Sequence, residues 1–250
     1  AIIFLFLPAR WLVVRSVGSP EPLFIAALLT SFYFFKSVFG EPLFVKKKNI
    51  FLDFWLAGLL GALAMITKTP AILLFLAYGV WLMVRMFKTR QVLWKAFPLL
   101  LIPLAVFPVF WLFKIQTNDF LAYFHSGDNF HLVFPPFQSF VMERSWLGDF
   151  WLEDMVWTYL FGALTVILLF QRKLYDLATF ALIFFTATLF VAHRDLSRYS
   201  LPLMPFALIA FAPFLEKKEF KIVFFFILIP VYLYAINFIA HNTAPIADWT

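Results

Sequence analysis

Eight apolar runs follow one another along this chain, at Pro22–Phe39, Phe51–Thr67, Pro70–Met86, Phe97–Phe113, Trp151–Phe170, Leu177–Ala192, Tyr199–Leu215 and Ile222–Ala240. Each approaches the length of about 20 residues that carries an α-helix across a bilayer. A shorter run, Ala1–Leu7, makes a half-span, and with no initiator Met before it both ends are read as cut from a longer chain. The breaks are short and polar: Glu41–Asn49, Lys88–Lys95, Gln171–Asp176, His193–Arg198 and Glu216–Lys221. One connection, from about Lys114 to Asp149, is long. Hydrocarbon offers no partner to a backbone N–H or C=O, so runs of this kind must close their hydrogen bonds within helices. The expected fold is therefore all-α: a polytopic transmembrane bundle of about eight to nine spans with a long outer loop. With no repeat or low-complexity linker, residues 1–250 are expected to form one domain.

Composition agrees. Only 14% of residues are charged and 64% are hydrophobic, whereas soluble domains carry about 25% charge. Too little polar surface is left to cover a soluble globule. The net charge of +6 has a membrane explanation, because Lys and Arg concentrate in cytoplasmic loops. If the loop of Lys46, Lys47 and Lys48 is cytoplasmic, alternation also puts Lys36, Arg85, Lys88, Arg90, Lys95, Arg172, Lys173, Lys217, Lys218 and Lys221 inside. Seven remain outside: Arg10, Arg15, Lys68, Lys114, Arg144, Arg194 and Arg198. No nucleic-acid partner is expected. The chain has no cysteine, which excludes disulfides, thiolate catalysis and Cys-ligated metals. No Gly-rich phosphate loop, nucleophile elbow or zinc-protease motif is present. The lack of an N-x-Ser/Thr sequon points to a multi-pass protein of a prokaryotic plasma membrane.

Aromatic residues make up 22% of the chain. Phe is expected mainly as lipid-facing filler. Trp11, Trp146, Trp151 and Trp157 fall on the outer side, where amphipathic rings settle at the interface.

Four polar groups on the outer side ask for explanation. Glu21 lies between Pro20 and Pro22 at the mouth of a span, where prolines stop a helix from extending backwards. A carboxylate there either compensates the helix dipole or is held above the membrane for binding or base catalysis. Arg10 and Arg15, upstream in a mixed apolar and basic segment, suit an interfacial helix lying on the membrane. Lys68, in a tight turn before Pro70, either snorkels or holds a phosphate beside the next helix N-terminus. The turn His193–Tyr199, with His193, Asp195, Arg198 and Tyr199, is either a solvated connection or a phosphate site, since Arg grips phosphate with two parallel hydrogen bonds. The long loop carries Asp119, His125, Asp128 and His131. Its histidines flanking an aspartate are candidate ligands for a divalent cation, and loops of this length are often binding loops or lids.

Three segments, Ser19–Leu29, Trp55–Pro70 and Arg198–Pro205, resemble the polytopic glycosyltransferases of the C superfold. That superfold includes dolichyl-phosphate-mannose mannosyltransferases, the GPI mannosyltransferase II group and bacterial lipid A aminoarabinose transferases. The segments occur in the family's order and span most of the chain. The resemblance implies inverting transfer of a sugar from a polyprenyl-phosphate donor to an acceptor on the outer face, within membrane lipids. Family members place one acid in a first outer loop, which would precede Ala1. A second acid matches Glu21, implied to take the acceptor's proton or orient a metal that does so. Lys68 matches a basic residue after a Leu-Thr pair, here Ile66-Thr67. Arg198-Tyr199 matches the Arg-Tyr before the family's Leu-Pro-Leu-x-Pro helix. These cations would hold the donor phosphate, with Asp119, His125, Asp128, His131, His193 and Asp195 as possible substrate-loop residues and a divalent cation left open. Two rival readings stand beside this one: a multi-span transporter or lipid flippase, which would place ionisable groups at the midplane, and a non-catalytic membrane subunit.

Overall fold

The computed structural model describes residues 2–39, 49–90, 93–125, 132–141, 152–193 and 195–241. Among them the chain is helical, and its one β-type pairing is an isolated antiparallel bridge between Leu132 and Val191. Helices α1 (Ala9–Ser16), α2 (Glu21–Ser37), α3 (Ile50–Thr67) and α4 (Ile72–Thr89) open the bundle. A 3-10 segment, Trp94–Leu100, runs into α5 (Leu101–Leu104) and α6 (Val106–Thr117). Short α7 (Ala122–His125) follows, then α8 (Leu152–Gln171), α9 (Tyr175–Thr188), α10 (Leu196–Tyr199), α11 (Met204–Ala210), α12 (Ala212–Leu215) and α13 (Lys218–His241).

Local chemistry sets many of these boundaries. Asn49 caps α3, its side chain accepting a hydrogen bond from the Leu52 amide at 3.2 Å, which satisfies one of the donors a helix start leaves open. α3 ends where Lys68 turns extended at φ −152°, just before the Thr69-Pro70 pair that disfavours further α geometry. Pro98, Pro103 and Pro108 each remove an amide donor from the rod 94–117, which is why it alternates between 3-10 and α segments.

Five helices are long and apolar enough to cross a membrane: Ile50–Thr67, Thr69–Thr89, Trp94–Thr117, Glu153–Gln171 and Lys218–Ala240. A sixth is α1 and α2 taken together, a pair bent by 111°. α9 covers 14 residues, about 21 Å at 1.5 Å per residue, which is short of a ~30 Å core. The segment 201–210 is shorter still. Every apolar run of the sequence that falls on described residues is thus helical, and five to six of them meet the length of a span.

α2 and α3 pack closely on each other and on the proline rod. A Cβ added at Gly58 would collide with the backbone carbonyl of Pro98, and one at Gly61 would press on Ile102 and on Ser31 Oγ. Small residues here let helices approach without a hydrophobic driving force between them. Ser31, fully buried, donates to the Ala57 carbonyl at 2.7 Å and shares a 2.9 Å hydrogen bond with Tyr78. Tyr78 stacks on Phe35 with centroids 3.9 Å apart. Phe32, Phe180 and Phe206 form a second nucleus, with Phe180 stacked on Phe206 at 4.5 Å. Part of the Phe content is therefore core rather than filler, while Phe87, Phe107, Phe225 and Phe226 are exposed as a lipid-facing residue would be.

The N-terminal segment departs from expectation. α1 does not lie apart on a membrane surface: Arg10, Trp11, Leu12, Val13 and Val14 are all buried. Leu12 and Val13 pack against Val231 and Ala235 of α13, and Trp11 and Val14 join the main core. Alternating burial into two different neighbours needs apolar residues all round, which the run Trp11–Val14 supplies. Trp11 is accordingly a core residue, stacked on Phe4, and not part of an interfacial belt. Trp157 is half-exposed, as a belt residue should be. Trp146 and Trp151 lie outside the described residues.

The charges sort to the two ends of the bundle. Lys36 pairs with Asp176 at 2.9 Å, both assigned by alternation to the basic side. The other ion pairs among the described residues, Arg10–Asp195, Lys68–Glu21, Arg198–Glu21 and His125–Asp119, all join groups assigned to the opposite side. No pair crosses from one set to the other among the described residues.

Candidate active site

The site is built from three helix ends that meet at one end of the bundle. Pro20-Glu21-Pro22 starts α2, and the two prolines fix the carboxylate at the first helical turn. The extended Lys68, between α3 and the 3-10 turn Thr69–Ala71, throws its side chain toward α2. Arg198 sits on α10, the single turn that follows α9. These residues are 47 and 177 positions from Glu21 in sequence.

They converge on one atom. Glu21 Oε1 accepts from Lys68 Nζ at 2.8 Å and from Arg198 Nε at 2.6 Å. The hydroxyl of Ser19 lies within hydrogen-bonding distance of Glu21 Oε2 and 3.0 Å from the Val14 carbonyl. Charge-assisted bonds of this kind are roughly twice as strong as neutral ones. Glu21 is 1% exposed, whereas the Lys68 and Arg198 side chains are 21% and 37% exposed. The anion is sealed and its two cations face outward. Bonding through Nε leaves the terminal nitrogens of Arg198 for a second acceptor.

Tyr199 completes this group. Its ring lies 5.9 Å from Lys68 Nζ, within cation–π range, and meets His193 edge-to-face at 5.2 Å. His193 Nδ1 accepts from the Asp195 amide at 2.9 Å, so the turn is closed by its own side chain. Asp195 pairs with the buried Arg10, which also donates to Tyr234 at 3.3 Å and stacks its guanidinium on Phe238 at 3.9 Å. This second pair ties α1, α10 and α13 together directly beside the Glu21 group.

The long loop folds back over the same end. Val133 and Phe137 donate to the Phe190 and Leu189 carbonyls at 2.8 Å, and Ser139 bonds the Val191 carbonyl. On the other flank the hydroxyls of Tyr123 and Thr69 are 3.3 Å apart, next to Lys68. Asp119 pairs locally with His125 at 2.7 Å. His125 and the Leu121 amide hold the Asp119 carboxyl below the usual carboxylate range. Neither Asp119 nor His125 bonds to Glu21. Asp128 and His131 lie outside the described residues. Among the described residues no three His, Cys, Asp or Glu side chains gather as a metal site, and both Glu21 oxygens are already engaged, so the described residues do not fit a divalent cation.

Family models, curated proteins and solved structures all give no match to the chain.

Glu21, Lys68, Arg198 and Tyr199, singled out in sequence, are thus brought together, and His193 and Asp195 adjoin them. Ser19 and Arg10 are additional. Ser19 is detectable only as a hydroxyl two residues before the acid, and its bonds go to the Glu21 side chain and the Val14 carbonyl. Arg10 carries one signal only, a cation set in an otherwise apolar run, and its partner is 185 residues away.

A shallow apolar recess of about 500 Å³ lies on the α6 half of the proline rod, lined by Phe107, Pro108, Trp111, Leu112 and Phe120. It is separate from the polar group, but Phe120 is three residues from Tyr123, which reaches the Lys68 turn.

Proposed function

We propose that this protein is a membrane glycosyltransferase that moves a sugar from a polyprenyl-phosphate donor to an acceptor, with inversion, on the outer face of a prokaryotic plasma membrane. The observation that carries the proposal is the convergence of Lys68 Nζ and Arg198 Nε on one Glu21 oxygen, because the C-superfold resemblance had singled out these three residues from widely separated segments. In this reading all eight apolar runs enter the membrane, the short α9 and the segment 201–210 included. The apolar recess beside α7 suits the isoprenoid chain.

The chemistry is a displacement at the anomeric carbon. The acceptor oxygen forms a bond to C1 as the C1–O bond to phosphate breaks. The departing electron pair stays on the lipid phosphate, stabilised by Lys68 and Arg198, and the acceptor's proton passes to Glu21. Preorganised cations aimed at developing negative charge are usually the largest catalytic term. A transporter would need ionisable groups at the midplane; the polar side chains near the middle of α2 and α4, Ser31 and Tyr78, are satisfied by internal hydrogen bonds.

The direct test is sugar transfer from a polyprenyl-phosphate donor by the full chain in lipid nanodiscs. Wild type should transfer, and Arg198→Lys, which keeps the charge but loses the planar fork, should fall about tenfold or more, the worth of a charge-assisted hydrogen bond. Absence of transfer with a panel of polyprenyl-phosphate sugars, or an Arg198→Lys variant at wild-type rate, sinks the proposal.

The outward orientation rests on the basic residues, 13 inside against seven outside. Because the chain lacks cysteine, single cysteines report cleanly. An impermeant thiol reagent applied to intact cells should label a cysteine replacing Ser126 and leave one replacing Lys88 untouched. The opposite labelling overturns the orientation.

A further inference from the structure

Resting on the reading of Lys68 and Arg198 as the donor-phosphate site, we propose that Glu21 is the resident anion of that site and that the lipid phosphate takes its place. Arrival of the phosphate then releases the carboxylate to act as a base. Three observations lead there. First, Glu21 holds the same donors a phosphate would need, Lys68 Nζ at 2.8 Å and Arg198 Nε at 2.6 Å. Second, a buried carboxylate that shares one oxygen between two cations and accepts from Ser19 on the other is a weak proton acceptor cut off from solvent, so the observed arrangement is closed to chemistry. Third, exposure is asymmetric. The cations reach solvent while Glu21 is 1% exposed, so an incoming anion meets Lys68 and Arg198 first. Two anions cannot both hold the same two donors without repulsion; the donor's phosphodiester matches the carboxylate in charge and free oxygens, adds the hold of its isoprenoid chain, and gains a second charge on these donors as the C1–O bond breaks. The consequence is an enzyme whose base becomes available when the donor phosphate is seated.

The exchange predicts a sign that a simple phosphate site does not. If Glu21 only oriented Lys68 and Arg198, removing its charge would weaken phosphate binding. If it competes with phosphate, removing its charge strengthens binding. The experiment is calorimetric titration of the full chain in nanodiscs with farnesyl phosphate, the lipid phosphate as it stands once the C1–O bond has broken, with inorganic phosphate run in parallel to separate the anionic head from the isoprenoid chain. Glu21→Gln should bind farnesyl phosphate about tenfold more tightly than wild type, the worth of one charge-assisted hydrogen bond returned to the ligand. Inorganic phosphate, sharing only the head, should shift in the same direction. Ser19→Ala keeps every charge, loosens Oε2 alone and should tighten binding severalfold, so it decides the question if Glu21→Gln does not fold. Arg198→Ala should weaken binding at least tenfold. Equal or weaker binding in both Glu21→Gln and Ser19→Ala, with Arg198→Ala still weak, overturns the exchange and leaves the phosphate site standing. Unchanged affinity in Arg198→Ala and Lys68→Ala overturns the phosphate site, and the exchange with it.

Discussion

Glu21→Gln is expected to lower sugar transfer by about a hundredfold to ten-thousandfold, the range associated with loss of a general base. The substitution keeps shape and removes charge. Its structural cost is contained, because Lys68 and Arg198 keep partial access to water and can be solvated when the carboxylate is gone. A group that merely compensates a helix dipole contributes about 0.3 to 1 kcal/mol of stability, and its removal leaves turnover nearly intact. The comparison is made at matched folded amounts, with rates taken at saturating donor. A variant retaining most of its rate makes Glu21 a structural anion and moves the proton acceptor to another residue. The kinetic pattern carries further information. Loss in kcat with KM unchanged or lower is the signature of a group needed in the transition state and not for binding.

The second large effect is on stability. Arg10→Ala should destabilise the protein by about 2 to 4 kcal/mol, toward the range for breaking a buried pair, because it leaves a largely shielded carboxylate without its partner. The Arg10 side chain is 8% exposed and that of Asp195 18%, and the guanidinium also covers Phe238. Asp195→Asn should cost less, since the amide still accepts one hydrogen bond from Arg10. The double replacement Arg10→Met with Asp195→Leu should recover most of the loss, as buried ion pairs often exchange with apolar side chains of similar volume at little cost. Reversible unfolding in mixed micelles measures all three. A loss below about 1 kcal/mol for Arg10→Ala is the value of an exposed pair and removes the argument that this contact fixes α1 to α10.

Much of the architecture was legible because the bilayer imposes a single rule, that apolar runs become helices. The positions of α2, α3, α4, α8 and α13 follow from it directly. The rule says little about length in three dimensions. Leu177–Ala192 reads as one run, yet α9 stops at Thr188, where the Thr188 hydroxyl turns back to the Phe185 carbonyl at 2.6 Å and Leu189–Val191 pair with the long loop. That pairing is made with residues more than 50 positions away and leaves no local trace. Glu21, Lys68 and Arg198 were visible as charges stranded beside apolar helices, each expensive to place near lipid without a partner. Their meeting on a single oxygen was not, since contact across 177 residues depends on how helices pack. Arg10 shows the limit most plainly. Its neighbourhood, Trp11-Leu12-Val13-Val14, has the look of an interfacial helix, and only the presence of α13 turns that surface into an interior.

The closeness of α1 and α13 also bears on how the protein is made. Arg10 finds Asp195, Tyr234 and Phe238 only after the ribosome has passed all of them, and Glu21 waits 177 residues for Arg198. At about 5 to 20 residues per second, that interval is roughly 9 to 35 s of translation. During it, the early helices sit beside the insertion machinery with Arg10 unpaired and Glu21 held by Lys68 alone. The polar end is therefore completed late: a chain released before α10 leaves Arg10 without Asp195 and Glu21 without Arg198, and one released before α13 lacks the Tyr234 and Phe238 that cover Arg10.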